Sequence, residues 1–172
     1  MLARNLLGPT VIFCTVILFA VLILTMIYST DNSVTDPRIV NSGLDDSWGR
    51  FTNADGEEVE LLLEIADTEQ KQRIGLMNRL DLHYDQGMLF AFESPRMGGF
   101  WMKNTLIYLD MIYIDSKFQV VDIVHYAAPC RIEQCRAYHP SSSYQYVVEV
   151  NGGWANENQV TEGSTFEINY SF

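Results

Sequence analysis

Leu109–Ala127 reads LDMIYIDSKFQVVDIVHYA. Two runs rich in Ile, Val and Tyr, Leu109 to Asp115 and Phe118 to Ala127, flank the polar pair Ser116-Lys117. Runs of this composition form strands, and a two-residue polar break joins them as an antiparallel hairpin. Working outward, Val59 to Ile65, Gly87 to Phe92, Phe100 to Met102, Tyr144 to Asn151 and Thr165 to Tyr170 are further short apolar runs bounded by turn residues. Each is expected to be a strand. Asp67-Thr68-Glu69-Gln70 has the form of a capping box, so a short helix is expected over 68–77, with Ile74 and Met77 facing inward. Gly152 to Asn158 is the place for a second. Short strands with one or two short helices predict a mainly β, borderline α+β domain: an antiparallel sheet curled into a small barrel or sandwich.

The start of the chain is different. Residues 6–28 (LLGPTVIFCTVILFAVLILTMIY) contain no charged side chain, and about twenty apolar residues cross a bilayer core as a helix. The run is longer than the apolar core of a signal peptide and ends without a small-residue cleavage pattern. It is expected to be an uncleaved anchor. Arg4 precedes it and Asp31 and Asp36 follow it, so the positive-inside rule places residues 1–5 in the cytoplasm and the rest of the chain outside. Residues 29–50 are rich in Ser, Asp, Asn and Gly without apolar periodicity, which predicts a tether. Residues 51–172 form the expected extracytoplasmic domain.

The net charge is −11, and beyond the apolar run 22 acidic side chains face 10 basic ones. Such a surface repels phosphate backbones, so nucleic acid is not an expected partner. Cys130 and Cys135 lie close together in the part placed outside, where a disulfide is the leading expectation. Their C-x4-C spacing departs from zinc-knuckle and thioredoxin-like patterns. His83, His125 and His139 are widely spaced, so no metal site and no cofactor is expected. There is no serine-nucleophile elbow and no phosphate-cradling glycine loop.

Candidate site residues come from polar groups set in apolar surroundings. Asp110 shares a strand face with Ile112 and Ile114, so it is expected to point inward, where a carboxylate needs a partner. Arg79, Lys103 and Asn104 are the candidate partners. Either these groups form a salt-bridged network that fixes a loop, or they converge in a pocket with Trp101, Tyr113 or Trp154 as apolar walls. Glu149 stands between Val148 and Val150 and is expected on a half-exposed face.

These same residues resemble a family known as domain of unknown function number 192. The motifs are Gly75-Leu76-Met77 with Arg79, Gly87-Met88-Leu89-Phe90 with Phe92, Phe100-Trp101-Met102-Lys103-Asn104-Thr105, and Leu109-Asp110 with Ile112 to Asp115. Ala128-Pro129-Cys130, Cys135 with Tyr138, and Tyr146 to Asn151 with Gly153-Trp154 complete the set, which runs from about Val59 to Ile168. Tyr108 stands where members usually carry proline, and Ser164 where an acidic residue often stands. The resemblance implies a small exported β-rich domain and supplies no activity.

The function expected from the sequence is a membrane-anchored, extracytoplasmic binding module for an envelope glycan or protein. Lys103 and Asn104 would donate to the ligand beside Trp101 and Arg79, and Asp110 would orient them. An extracytoplasmic hydrolase using Asp110 is the alternative from another class, and a purely structural envelope protein is the third.

Overall fold

A computed structural model describes residues 47–170. The N-terminal residues 1–5, the apolar run 6–28 and most of the linker 29–50 lie outside them. No helix among the described residues is long and apolar enough to cross a membrane.

Among the described residues nine strands and two short helices follow one another. They are β1 Ser47–Thr52, β2 Glu58–Ala66, α1 Glu69–Ile74, β3 Gln86–Arg96, β4 Phe100–Trp101, β5 Leu109–Ile114, β6 Val120–Ala127, β7 Ala137–Tyr138, β8 Tyr144–Asn151, α2 Trp154–Glu157 and β9 Thr165–Ile168. Seven of them form one sheet in the order β6-β5-β8-β3-β2-β1-β9, while β4 and β7 pair separately.

The sheet is mixed rather than wholly antiparallel. β2 and β3 run parallel, with Leu62 opposite Gln86 and Ala66 opposite Phe90. The connection 67–85 causes this: it carries α1 and brings the chain back to the end from which β2 started, as a parallel pair requires. The two edges of the sheet approach each other at one corner. Val120 N donates to Ser164 O and Phe166 N to Phe118 O, each at 2.9 Å. Those bonds stop after the first residues of β6 and β9, so the sheet is a curled half-barrel and not a closed barrel.

Both faces of the curl are covered. The inner core takes residues from all seven strands, among them Phe51, Leu61, Leu89, Ile112, Val120, Val148 and Phe166, together with Trp154 and Ala155 of α2. On the other face Met88, Phe90, Met111, Tyr113 and Val147 are covered by Leu76, Leu82 and Met102 from the connections. Every residue of β5 is buried, which explains why LDMIYI reads as an almost unbroken apolar run.

Local details differ from expectation for identifiable reasons. The helix is shorter, and its cap is Thr68, whose side chain accepts from Lys71 N at 3.3 Å. Asp67, expected as the cap, instead binds Lys71 Nζ at 2.9 Å. Gly75, at φ 48°, ends the helix, leaving Ile74 exposed and Leu76 buried in its place. The β5–β6 turn is wider than two residues. Asp115 accepts from Lys117 N and Gln119 N at 2.8 and 2.9 Å, and Phe118 takes a positive φ within it. β1 begins at Ser47, inside the expected tether. Its inward residues are Ser47, Gly49 and Phe51, a set with only one large apolar side chain and hence no visible alternation.

Candidate functional site: a cleft over Glu149

Asp110 and Lys103 are not brought together. Asp110 is fully buried on the inner face, as its alternation with Ile112 and Ile114 requires. Its partners are backbone amides. Tyr126 N and Gly153 N donate to Oδ1 at 2.9 and 3.0 Å, and Ala155 N donates to Oδ2 at 3.0 Å. The first amide is available because the β5–β6 register shifts between Leu109 and Met111, a bulge that turns Tyr126 N toward the carboxylate. The other two lie at the start of α2, where Gly153 adopts φ 96°. His125 Nδ1 stands 3.7 Å from Oδ2. Asp110 thus staples β6 and α2 onto β5, with both oxygens occupied. Trp154, expected as a pocket wall, is buried against Phe51 in the inner core.

The other candidates lie elsewhere. Arg79 makes a two-pronged ion pair with Glu64 of β2. Asn104 works mainly through its backbone: at φ 55° its carbonyl accepts from Asn78 N and its amide donates to Cys130 O, both at 2.8 Å. Its side-chain nitrogen lies 4.0 Å from Met77 Sδ. These bonds tie together the segment after α1, the 100–105 segment and the loop that holds Cys130 and Cys135. The two cysteines are joined as a disulfide, with Cα atoms 5.9 Å apart. Lys103 Nζ sits 5.4 Å from the Trp101 ring centroid, a cation–π distance.

What these segments enclose is a small cleft on the outer face. Gln72 to Met77, Phe90, Phe100, Trp101, Lys103, Thr105 and Glu149 line it, around a cavity of about 30 Å³. Glu149 is its floor. One residue along β8 from Val148 and Val150, it projects to the face opposite Asp110. There it is buried rather than half-exposed, at 5% exposure. Its cross-strand neighbours are Met88 on β3 and Met111 on β5. Burial alone pushes its carboxyl up to about 8, because removal from water penalises the charged form and no donor or cation offsets that. Among the described residues no fully buried side-chain polar atom lacks a hydrogen bond. The unbonded Glu149 oxygens must therefore open onto the cleft.

Nearby, burial also raises the Tyr113 hydroxyl far above its ordinary value. It donates to Tyr138 O at 3.2 Å and lies 3.8 Å from Met111 Sδ. Two wider depressions, of about 610 and 500 Å³, are lined by residues within 67–72 and 91–98 and within 79–86. Neither is lined by a buried ionisable side chain. At the floor of the smaller cleft a neutral carboxylic acid can donate a hydrogen bond, and the same group ionised would hold a cation.

The family model DUF192, described as "Uncharacterized ACR", matches residues 50–168. No curated protein matches. A Sinorhizobium meliloti protein, provisionally assigned as a transcription regulator, has a similar crystal structure. It shows 32% identity over 70% of this chain and 92% of that one, with a TM-score of 0.65. A Novosphingobium aromaticivorans protein of unknown function is 31% identical, also with a TM-score of 0.65, over 70% of this chain and 83% of its own. The matched span begins inside β1 and ends at the last residue of β9, taking in both the Asp110 staple and the Glu149 cleft: the chain belongs to the DUF192 family.

Proposed function

We propose that this chain is a membrane-anchored binding module whose domain stands outside the membrane and takes a small ligand group in the cleft over Glu149. The observation that carries this is Glu149 itself: a buried carboxyl without a hydrogen bond, open to a cleft rimmed by Trp101 and Lys103. Burying such a group without a partner costs several kcal/mol, and a ligand that supplies the partner recovers part of that cost. The cavity admits one small group. A larger envelope molecule, glycan or protein, would insert such a group and lie against the half-exposed Trp101 at the rim.

The hydrolase reading loses its support at Asp110, whose oxygens are held by three backbone amides. At that residue the structural reading is favoured instead. The location outside the membrane draws support from the uncharged run 6–28 behind Arg4 and from the Cys130–Cys135 disulfide, since disulfides persist in oxidising compartments. The regulator assignment of the Sinorhizobium relative does not extend easily to this chain as a nucleic-acid activity. A net charge of −11 opposes phosphate binding.

The test is a thermal-shift panel on the detergent-solubilised full chain and its Glu149→Gln variant, with metal ions, amines, sugars and cell-wall fragments. A ligand at 100 times its Kd adds about 2.7 kcal/mol, a shift of several degrees. A shift present in the wild type and lost in Glu149→Gln supports the cleft as the site. Shifts that persist unchanged in Glu149→Gln place binding elsewhere and overturn it.

A further inference from the structure

We infer that the cleft takes the carboxylate end of its ligand, held by the Glu149 carboxyl and the Thr105 hydroxyl, with Lys103 and Arg73 supplying the opposite charge. This rests on the reading of the cleft as the binding site and names the chemical group it takes. Unsatisfied polar groups are the first argument. Glu149 and Thr105 are each 5% exposed, both line the cleft, and neither side chain hydrogen-bonds to another described residue. Because no fully buried side-chain polar atom among the described residues lacks a bond, the Thr105 hydroxyl, like the Glu149 oxygens, keeps its access through the cleft. Leaving such groups unpaired is costly, and a ligand group entering the cleft would satisfy them.

Charge is the second argument. Glu149 is the one carboxyl in the lining, and burial pushes it up to about 8, so at neutral pH it keeps its proton and can donate it. Lys103 and Arg73 line the same cleft and make no ion pair with any described carboxylate, whereas Arg50, Lys71 and Arg79 are all paired. Neither lowers the Glu149 carboxyl, so both stand back from the floor. The lining is therefore net positive in a chain of net charge −11, which repels a cation and draws an anion. Size and bonding select the anion. A cavity of about 30 Å³ holds roughly one water-sized body, so a single oxygen end enters, and walls such as Phe90 and Phe100 suit the carbon behind it. A carboxylic acid and a carboxylate form a short, charge-assisted O–H···O bond, which the amide of Glu149→Gln does not reproduce. Few other groups around Glu149 titrate. Its neighbours on β3 and β5 are Met88 and Met111. Beyond Met88 stands Glu64, paired with Arg79. Tyr113 of β5, opposite Asp122 of β6, keeps its proton far above this range.

The test is a carboxyl-carbon NMR titration of Glu149 in the full glutamate-labelled chain in detergent, with Glu149→Gln assigning its signal. Sodium acetate, sodium phosphate and methylammonium chloride are the probes, at constant ionic strength. An anion beside Glu149 makes its proton harder to remove, and a cation makes it easier. Saturating acetate is expected to raise the titration midpoint by about one pH unit or more, a preference of about tenfold or more for the protonated cleft. Below the midpoint, Lys103→Met with Arg73→Met should weaken acetate binding about tenfold or more, and unaltered melting of the double variant confirms its fold. Alanyl-alanine and glucuronate, compared in the same way, distinguish a peptide end from an acidic sugar as the source of the carboxylate. A midpoint unmoved by acetate, one raised equally by phosphate, or acetate binding unchanged in the double variant would each overturn the proposal. Should methylammonium lower the midpoint instead, the carboxylate assignment falls while the cleft remains the binding site. If no probe moves it and the thermal-shift panel gives no Glu149-dependent ligand, the reading of the cleft falls as well.

Discussion

Two carboxylates set on neighbouring strands meet opposite fates because alternation sends them to opposite faces. Asp110 goes inward and finds three backbone amides; Glu149 goes outward into a covered cleft and finds none. Asp110→Ala would leave those amides unsatisfied, and breaking a buried charged network costs about 3–5 kcal/mol. Urea unfolding should show that loss, and an unchanged midpoint would mean Asp110 is not a staple. Glu149 sets a pH dependence of the opposite kind from a salt-bridged acid. Its folded value, about 8, lies above the ordinary value of 4.5. Between those values the folded state holds a proton that the unfolded state has released, so stability falls as pH rises from about 4.5 to 8 and then levels off. The total is on the order of a few kcal/mol. Glu149→Gln should flatten this slope and raise stability at pH 8 in thermal melts taken across the range. The inward position of Asp110 was legible from its alternation with Ile112 and Ile114. The burial of Glu149 was not, because β8 alone gives no sign that residues 75–82 and 100–105 cover its outer face.

At the scale of elements, the cleft depends on where short segments stop. α1 is only six residues long, too short to persist without its ends being fixed. Thr68→Ala removes the cap and should cost about 1 kcal/mol, visible as a lower melting temperature. Gly75 ends the helix at φ 48°, and a Cβ there would lie 3.1 Å from the Phe90 ring, on the cleft wall. The Cys130–Cys135 loop holds the 103–105 segment through Asn104 N to Cys130 O. Reducing the disulfide should destabilise the domain by about 2 kcal/mol in the chain-entropy model, read by denaturant titration with and without reductant. β5 and β8 were legible because central strands buried on both faces give near-continuous apolar runs, and α1 because its capping residues stand in the sequence. β7, two residues long and paired only with β4, has no pattern to read. The parallel β2–β3 pair was hidden for another reason. Strand direction depends on the path of the connection 67–85, not on the composition of either strand.

The whole domain is a half-barrel whose inner core secures the fold and whose outer layer forms the cleft. Residues from all seven strands fill the inner core, while the outer layer is built by connections laid over β3, β5 and β8. The motif residues that resemblance groups in the sequence divide accordingly. Asp110 and Trp154 belong to the inner core, whereas Gly75 to Met77, Phe100 to Thr105 and Glu149 meet outside it. A central claim follows from this division: the domain keeps a buried, unpartnered carboxyl at the floor of an outer cleft. The most direct measurement is a pH titration by carboxyl carbon NMR of the glutamate-labelled chain, with Glu149→Gln identifying the Glu149 signal. One glutamate titrating near 8, absent from the variant, is the expected result. If that signal instead titrates near the ordinary value of 4.5, Glu149 is solvated or paired, and the cleft has no reason to bind.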